Sequence, residues 1–315
     1  MKKKIAVTIL AILLVCFLIV ETYPNNYILI VNEKNASSSV QDATPANAVV
    51  TTTAKAAAQT DNSGSAADSS ESKKSDKKSD SKKSDKNSGS EIPQTKEEIV
   101  QKYAEVVKKF KHEKPGYTKK EYQALPEDKR QFSSNLVNKL LGFGEKYMTK
   151  EDSENAVVTR EKGYADIINE IPIYGMEEGC LLTDYSTVKN ATCTKNSDGT
   201  YKLSFSLEDE VNPEPLASGS KEPKSYHAAV LMPGNREDIM TEVHKVEKLL
   251  GAKCNNFDLT YRDCTFECVY NPENDQVVSI THHHNIDITA DIHFIKDITG
   301  SARLTNDMLV YDIVW

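Results

Sequence analysis

Several chemistry-bearing patterns are missing from this sequence of 315 residues, and each absence closes a class of function. No Gly-rich loop sits between a strand and a helix, so nothing offers to cradle a nucleotide's phosphates. The acids following Leu207 (LEDE) lack the interspersed oxygen ligands of a calcium loop and read as the solvated end of a strand. Basic clusters are missing where folding should occur. Residues 1–90 carry twelve Lys and nine acids, whereas residues 91–315 carry 27 basic and 38 acidic groups, within a formal charge of −8 overall. An acidic domain of that kind excludes nucleic acid as a partner, because phosphate backbones are held by clustered Lys and Arg. No cofactor is implied.

The N-terminus also lacks something. Three lysines precede sixteen uncharged residues, Ile5 to Val20, but the run ends FLIVETYPNNY without the small residues a signal peptidase needs. Residues 1–24 therefore read as an uncleaved signal anchor, with Lys2, Lys3 and Lys4 holding the start of the chain in the cytoplasm. Cys16, in LLVC, has no small residues before it and reads as a thiol in an apolar helix rather than a lipidation site. Residues 25–90 follow as a disordered Ser/Lys/Asp-rich linker, with KKSD repeating at Lys73, Lys77 and Lys82. Such composition cannot bury enough apolar area to offset the entropy of ordering a backbone.

Residues 91–315 carry the folding signals. Thr95 and Glu98 have capping-box spacing, and Ile99, Tyr103, Val106, Val107 and Phe110 recur at helical intervals until Pro115-Gly116. A second helix is expected over FSSNLVNKLLGFGEKYM, with Leu136, Val137, Leu140, Leu141 and Phe143 on its apolar side. A third covers NREDIMTEVHKVEKLLGAK, placing His244 on a solvated surface. Tyr201, Leu203, Phe205 and Leu207 alternate after an Asp198-Gly199 turn, as in a hairpin. A longer hairpin turns at NPENDQ, and SARLTNDMLVYDIVW supplies a last strand. Hairpins without crossover helices imply an antiparallel sheet. The expected fold class is α+β: hairpin-connected strands covered by N-terminal and inserted helices.

Five cysteines follow Cys16: Cys180, Cys193, Cys254, Cys264 and Cys268. An odd number leaves at least one free or intermolecular. Cys264 and Cys268 lie about 13 Å apart along an extended strand, too far to bridge. Disulfides are expected between Cys180 and Cys193, or between Cys254 and either Cys264 or Cys268.

The stretch THHHNIDITADIHF concentrates histidine. Read at period two, Ile280, His282, His284, Ile286, Ile288, Ala290, Ile292 and Phe294 form an inward set, and Thr281, His283, Asn285, Asp287, Thr289, Asp291 and His293 an outward one. This explains the segment as a half-buried strand without any ligand. Only His282 and His284 share a face closely enough to start a zinc site, and a third ligand would have to come from Cys264, Cys268 or His227. No metal is expected. A one-residue slip in the hairpin decides whether either cysteine joins the histidines' face.

These features together read as a membrane-anchored, extracytoplasmic binding or cell-envelope module without catalytic residues. It would be single-pass at the cell membrane, with the membrane and a cell-wall or surface ligand as partners. An extracytoplasmic hydrolase or metal-binding protein, and a self-associating structural component of the envelope, are the alternatives. The acids in TKEE, EEG and EDE could serve a hydrolase only if folding gathers them.

Overall fold

The computed structural model describes residues 92–315, apart from 146, 147, 251 and 294. The expected anchor (1–24), the linker (25–90) and Phe294 lie outside the described residues. Among the described residues no helix is long and apolar enough to cross a membrane. The membrane-anchored reading is corrected accordingly: its single-pass localisation, membrane partner and extracytoplasmic envelope role find no support in the fold.

The chain opens with helix α1 (Lys96–Glu113). Thr95 caps it as its spacing predicts, accepting from the Glu98 amide at 3.1 Å while Glu98 Oε2 accepts from the Thr95 amide at 3.0 Å. Such a cap contributes about 1 kcal/mol. Ile99, Val100, Tyr103, Val106, Val107 and Phe110 form its buried stripe. Each large aliphatic or aromatic side chain so buried contributes roughly 1.5–3 kcal/mol. This stripe lies over the sheet strands β3 (Val188–Lys195), β4 (Tyr201–Leu207), β6 (Lys253–Asn271) and β7 (Gln276–His293). Gly179 crosses so close to α1 that a Cβ there would stand 2.6 Å from that of Val107 and 2.7 Å from the Ala104 carbonyl oxygen.

With β1 (Gly116–Ala124), β2 (Val157–Arg160) and β8 (Asp297–Val314), the strands form one antiparallel sheet in the order β2-β1-β8-β7-β6-β4-β3, with β5 (Glu210–Val211) paired beside β6. Strands β6, β7 and β8 (Asp297–Val314) run 19, 18 and 18 residues, against about 5–6 in an ordinary strand. Their alternating burial follows the sequence pattern: Phe257, Leu259, Tyr261, Ile280, Ile286, Ile288, Leu304 and Met308 all face inward and are shielded. Helix α2 (Asn135–Gly144) adds Val137 and Leu141 to the core, and α3 (Arg236–Leu250) packs against β6.

Strands β1 (Gly116–Ala124) and β2 (Val157–Arg160) are not visible in the apolar pattern. The reason lies in β1 itself. Lys119 and Gln123 sit on its covered side with Tyr117, so inside and outside are both polar and period-two hydrophobicity disappears.

Disulfides are the second correction. Cys180, Cys193, Cys254, Cys264 and Cys268 are all free thiols.

Candidate functional site: a buried polar row

The register of the long hairpin settles which side chains share the histidines' face. Phe266 opposes His282 and Cys268 opposes Ile280, while two residues, Asp263 and Cys264, oppose His284 alone. This is a β-bulge, with Asp263 at φ 49°. Cys264 and Cys268 are both buried, on the inner side with His282 and His284. The shared face does not make a metal centre: among the described residues no group of three or more His, Cys, Asp or Glu side chains could hold an ion.

The cysteines are also in the wrong chemical state for coordination or attack. Burial pushes the Cys180 and Cys264 thiols up to about 12, and Cys268 higher still. A thiol in that condition stays protonated at neutral pH and is inert.

His282 is joined to the helix layer. The Tyr103 hydroxyl lies 2.6 Å from His282 Nε2, and both residues are fully shielded. Burial lifts the Tyr103 hydroxyl well above its ordinary range, so it remains a neutral donor. His282 then carries its own proton on Nδ1, which has no hydrogen-bond partner among the described residues. The rings of Phe266 and His282 meet edge to face at 5.0 Å, and His282 and His284 stand 5.8 Å apart. Burial depresses both imidazoles, His284 to about 3. His284 and Lys111 add to the depression of His282, and His227 and His283 to that of His284. Both inner histidines are therefore neutral at physiological pH.

One row of the inner face is unlike the rest. Asn306 on β8 pairs with Gln123 on β1 on one side and with His284 on β7 on the other. Neighbours so paired hold their Cβ atoms about 4.5–5.5 Å apart. His227, on a single helical turn, His227–Ala229, is buried with its ring 5.5 Å from that of Tyr261 on β6. Three atoms of the row, Gln123 Oε1, Asn306 Oδ1 and His284 Nε2, are shielded from solvent and have no hydrogen-bond partner among the described residues, and His227 Nε2 is in the same state. Behind His227, one carboxylate oxygen, Glu210 Oε2, accepts from both its ring Nδ1 at 2.9 Å and its backbone amide at 3.0 Å.

Elsewhere Arg262 Nε, Tyr270 Oη, His282 Nδ1 and Asp291 Oδ1 are also shielded without a hydrogen-bond partner among the described residues, but several other polar groups are well supplied. On the outer face His283 Nδ1 meets Asp307 at 2.6 Å, and Arg303 grips Asp287 through two bonds of 2.6 and 2.9 Å. The Asp307 hydrogen bond raises His283 against a smaller opposing effect of burial. Inside, the Glu170 carboxylate accepts from Tyr117 at 2.8 Å, Tyr164 at 3.0 Å and Arg160 Nε at 2.8 Å. Burial pushes Glu170 upward, but Arg160 and the tyrosines outweigh it and leave the carboxyl below its usual range. Lys111, buried on α1, donates to the carbonyls of Ile173, Met176 and Glu178 at 3.0, 3.1 and 2.9 Å. Burial draws its ammonium down to about 7, with Glu178 opposing.

Sequence reading singled out His282, His284, Cys264, Cys268 and His227, and folding brings all five to the inner side of the sheet or against it. It missed Gln123 and Asn306, and met Glu210 only as one acid of EDE. Asn306 had a legible signal, since it interrupts the inward series Leu304, Met308, Val310 with an amide. Gln123 had none, because it does not lie in an apolar alternation.

Compared with protein-family models, curated proteins and solved structures, the chain matches none. Its chemistry rests on its own geometry.

Proposed function

We propose that the domain is a receptor for a small polar molecule held at the row formed by Gln123, Asn306 and His284. One observation carries this reading: three shielded polar atoms without hydrogen-bond partners stand at paired positions on β1, β8 and β7. A buried polar group left unpaired costs about 1–3 kcal/mol. Three together would be a heavy burden on a domain whose whole margin is of order 5–15 kcal/mol. A guest that supplies the missing hydrogen bonds removes that burden and gains affinity from it. The neutral imidazoles and protonated thiols leave no activated nucleophile at the row, so binding rather than turnover is the chemistry on offer.

The test is native mass spectrometry of the full chain purified without denaturation, alongside a high-resolution crystal structure. The expected result is a discrete small-molecule mass released on unfolding, with density contacting His284 and Asn306. A bare polypeptide mass, with ordered water on all three atoms, would overturn the reading.

A further inference from the structure

The chain from residue 173 to 178 is irregular and has little backbone bonding of its own. Among the described residues its one backbone–backbone hydrogen bond runs from the Gly175 amide to the Ile168 carbonyl at 2.8 Å. Its carbonyls at Ile173, Met176 and Glu178 turn instead to Lys111 Nζ, at 3.0, 3.1 and 2.9 Å. Gly179 then crosses α1 against Val107. A strap is thus drawn onto the helix, with one amine as its fastening. We infer that this strap is a proton-linked latch: it tightens when Lys111 gives up its proton and loosens when Lys111 takes one back.

Lys111 is wholly shielded from solvent. The strap's own carboxylates turn elsewhere, Glu178 to Lys221 at 2.6 Å and Glu177 to His112 at 3.8 Å. Carbonyl dipoles therefore stand where a counter-charge would. Taking an ammonium out of water disfavours its charged form. Two effects oppose this: Glu178 favours the ammonium through its charge, and three carbonyls suit an ammonium's three N–H groups better than an amine's two. His282 on β7 feels the charge of Lys111 but is itself neutral. Burial prevails and draws Lys111 down to about 7.

Lifting the strap returns Lys111 to water and to its ordinary value of 10.5. Between about pH 7 and 10.5 the open strap therefore holds a proton that the closed one lacks. Raising the pH through that window makes opening rarer, by up to about tenfold per unit. Below about pH 6 both states are protonated and the dependence ends.

The test is amide exchange in the full chain carrying isotope-labelled glycine, followed by NMR between pH 6 and 9. Gly175 reports on the strap, and Gly199, whose amide donates to the Asn196 carbonyl in the β3–β4 turn, serves as the control. Protection at Gly175 should rise by at least about tenfold between pH 7 and 9, with no such rise at Gly199. Lys111→Met and Lys111→Arg each remove the titrating amine, and each should abolish the rise, so that a folding failure in one variant leaves the other to decide. A purely structural fastening would give protection that does not follow pH. Flat protection at Gly175, protection that falls with rising pH, or a rise that survives in either variant overturns the latch.

Discussion

The Tyr103 hydroxyl reaches His282 Nε2 at 2.6 Å, tying the middle of α1 to the middle of the sheet through a bond shielded from water. Tyr103→Phe keeps the ring's edge contact with Phe205 at 5.1 Å and deletes the hydrogen bond. The expected loss is about 1–3 kcal/mol, the cost of an unsatisfied buried acceptor. Urea denaturation measures it, and a change below about 0.5 kcal/mol would show that the bond contributes nothing net.

Lys111 performs a comparable task for the segment beyond β2. Its ammonium gathers three carbonyls between residues 173 and 178 that no strand or helix satisfies. Lys111→Met preserves the packed stem and removes all three donors. The expected outcome is roughly 2 kcal/mol of destabilisation, with amide exchange speeding up over 173–178 before the rest of the domain. Unchanged exchange in that segment would refute a clamping role.

Acid should weaken the fold through His284. Its folded pKa of about 3 lies below the unfolded value of 6.5, so between these limits the unfolded chain binds the extra proton. Stability from this group is complete above about pH 6.5 and falls as pH drops toward 3, at up to about 1.4 kcal/mol per unit. Glu170, also held below its usual range, is lost in the same direction at lower pH; His283, raised by Asp307, works the other way. His284→Phe should flatten the decline in unfolding free energy between pH 6.5 and 4.5. An unaltered slope would remove His284 from the account.

The thiols should be free and slow. Non-reducing alkylation of the unfolded chain is expected to label Cys180, Cys193, Cys254, Cys264 and Cys268 completely without any reductant. In the folded state Cys264 and Cys268 should resist modification at pH 8, being buried and protonated. Peptides that require a reductant before labelling would restore a disulfide.

The parts of this fold legible in sequence are those where burial and apolarity coincide. Strands β6 to β8 announce themselves because Leu259, Ile286, Ile288 and Leu304 alternate with polar residues, and α1 because Thr95 and Glu98 signal its start. Strand β1 stays hidden because the residues on its covered side are Lys119 and Gln123, whose partners are polar: Glu121 and the distant Glu170 carbonyl for one, Asn306 across the ladder for the other. The candidate row is half legible for the same reason. His284 draws attention by composition, yet its significance depends on companions contributed by β1 and β8. Cysteine spacing misled in the opposite sense, since a count of thiols says nothing about whether their sulfurs meet.

The sheet has a consequence for how the protein is made. Strand β1 has β2 on one side and β8 on the other, and its ladder with β8 runs from Gly116 against Val314 to Ala124 against Thr305. During synthesis β1 leaves the ribosome long before its main partner exists, and Lys119 and Gln123 must wait with it in water. Polar inner residues suit that wait, because an early strand with an apolar face would invite pairing with other nascent chains. Closing so distant a ladder is slow. The β1–β8 seam is therefore the last part of the sheet to assemble, and ribosome-bound chains stalled before β8 should remain open to protease throughout residues 116–124.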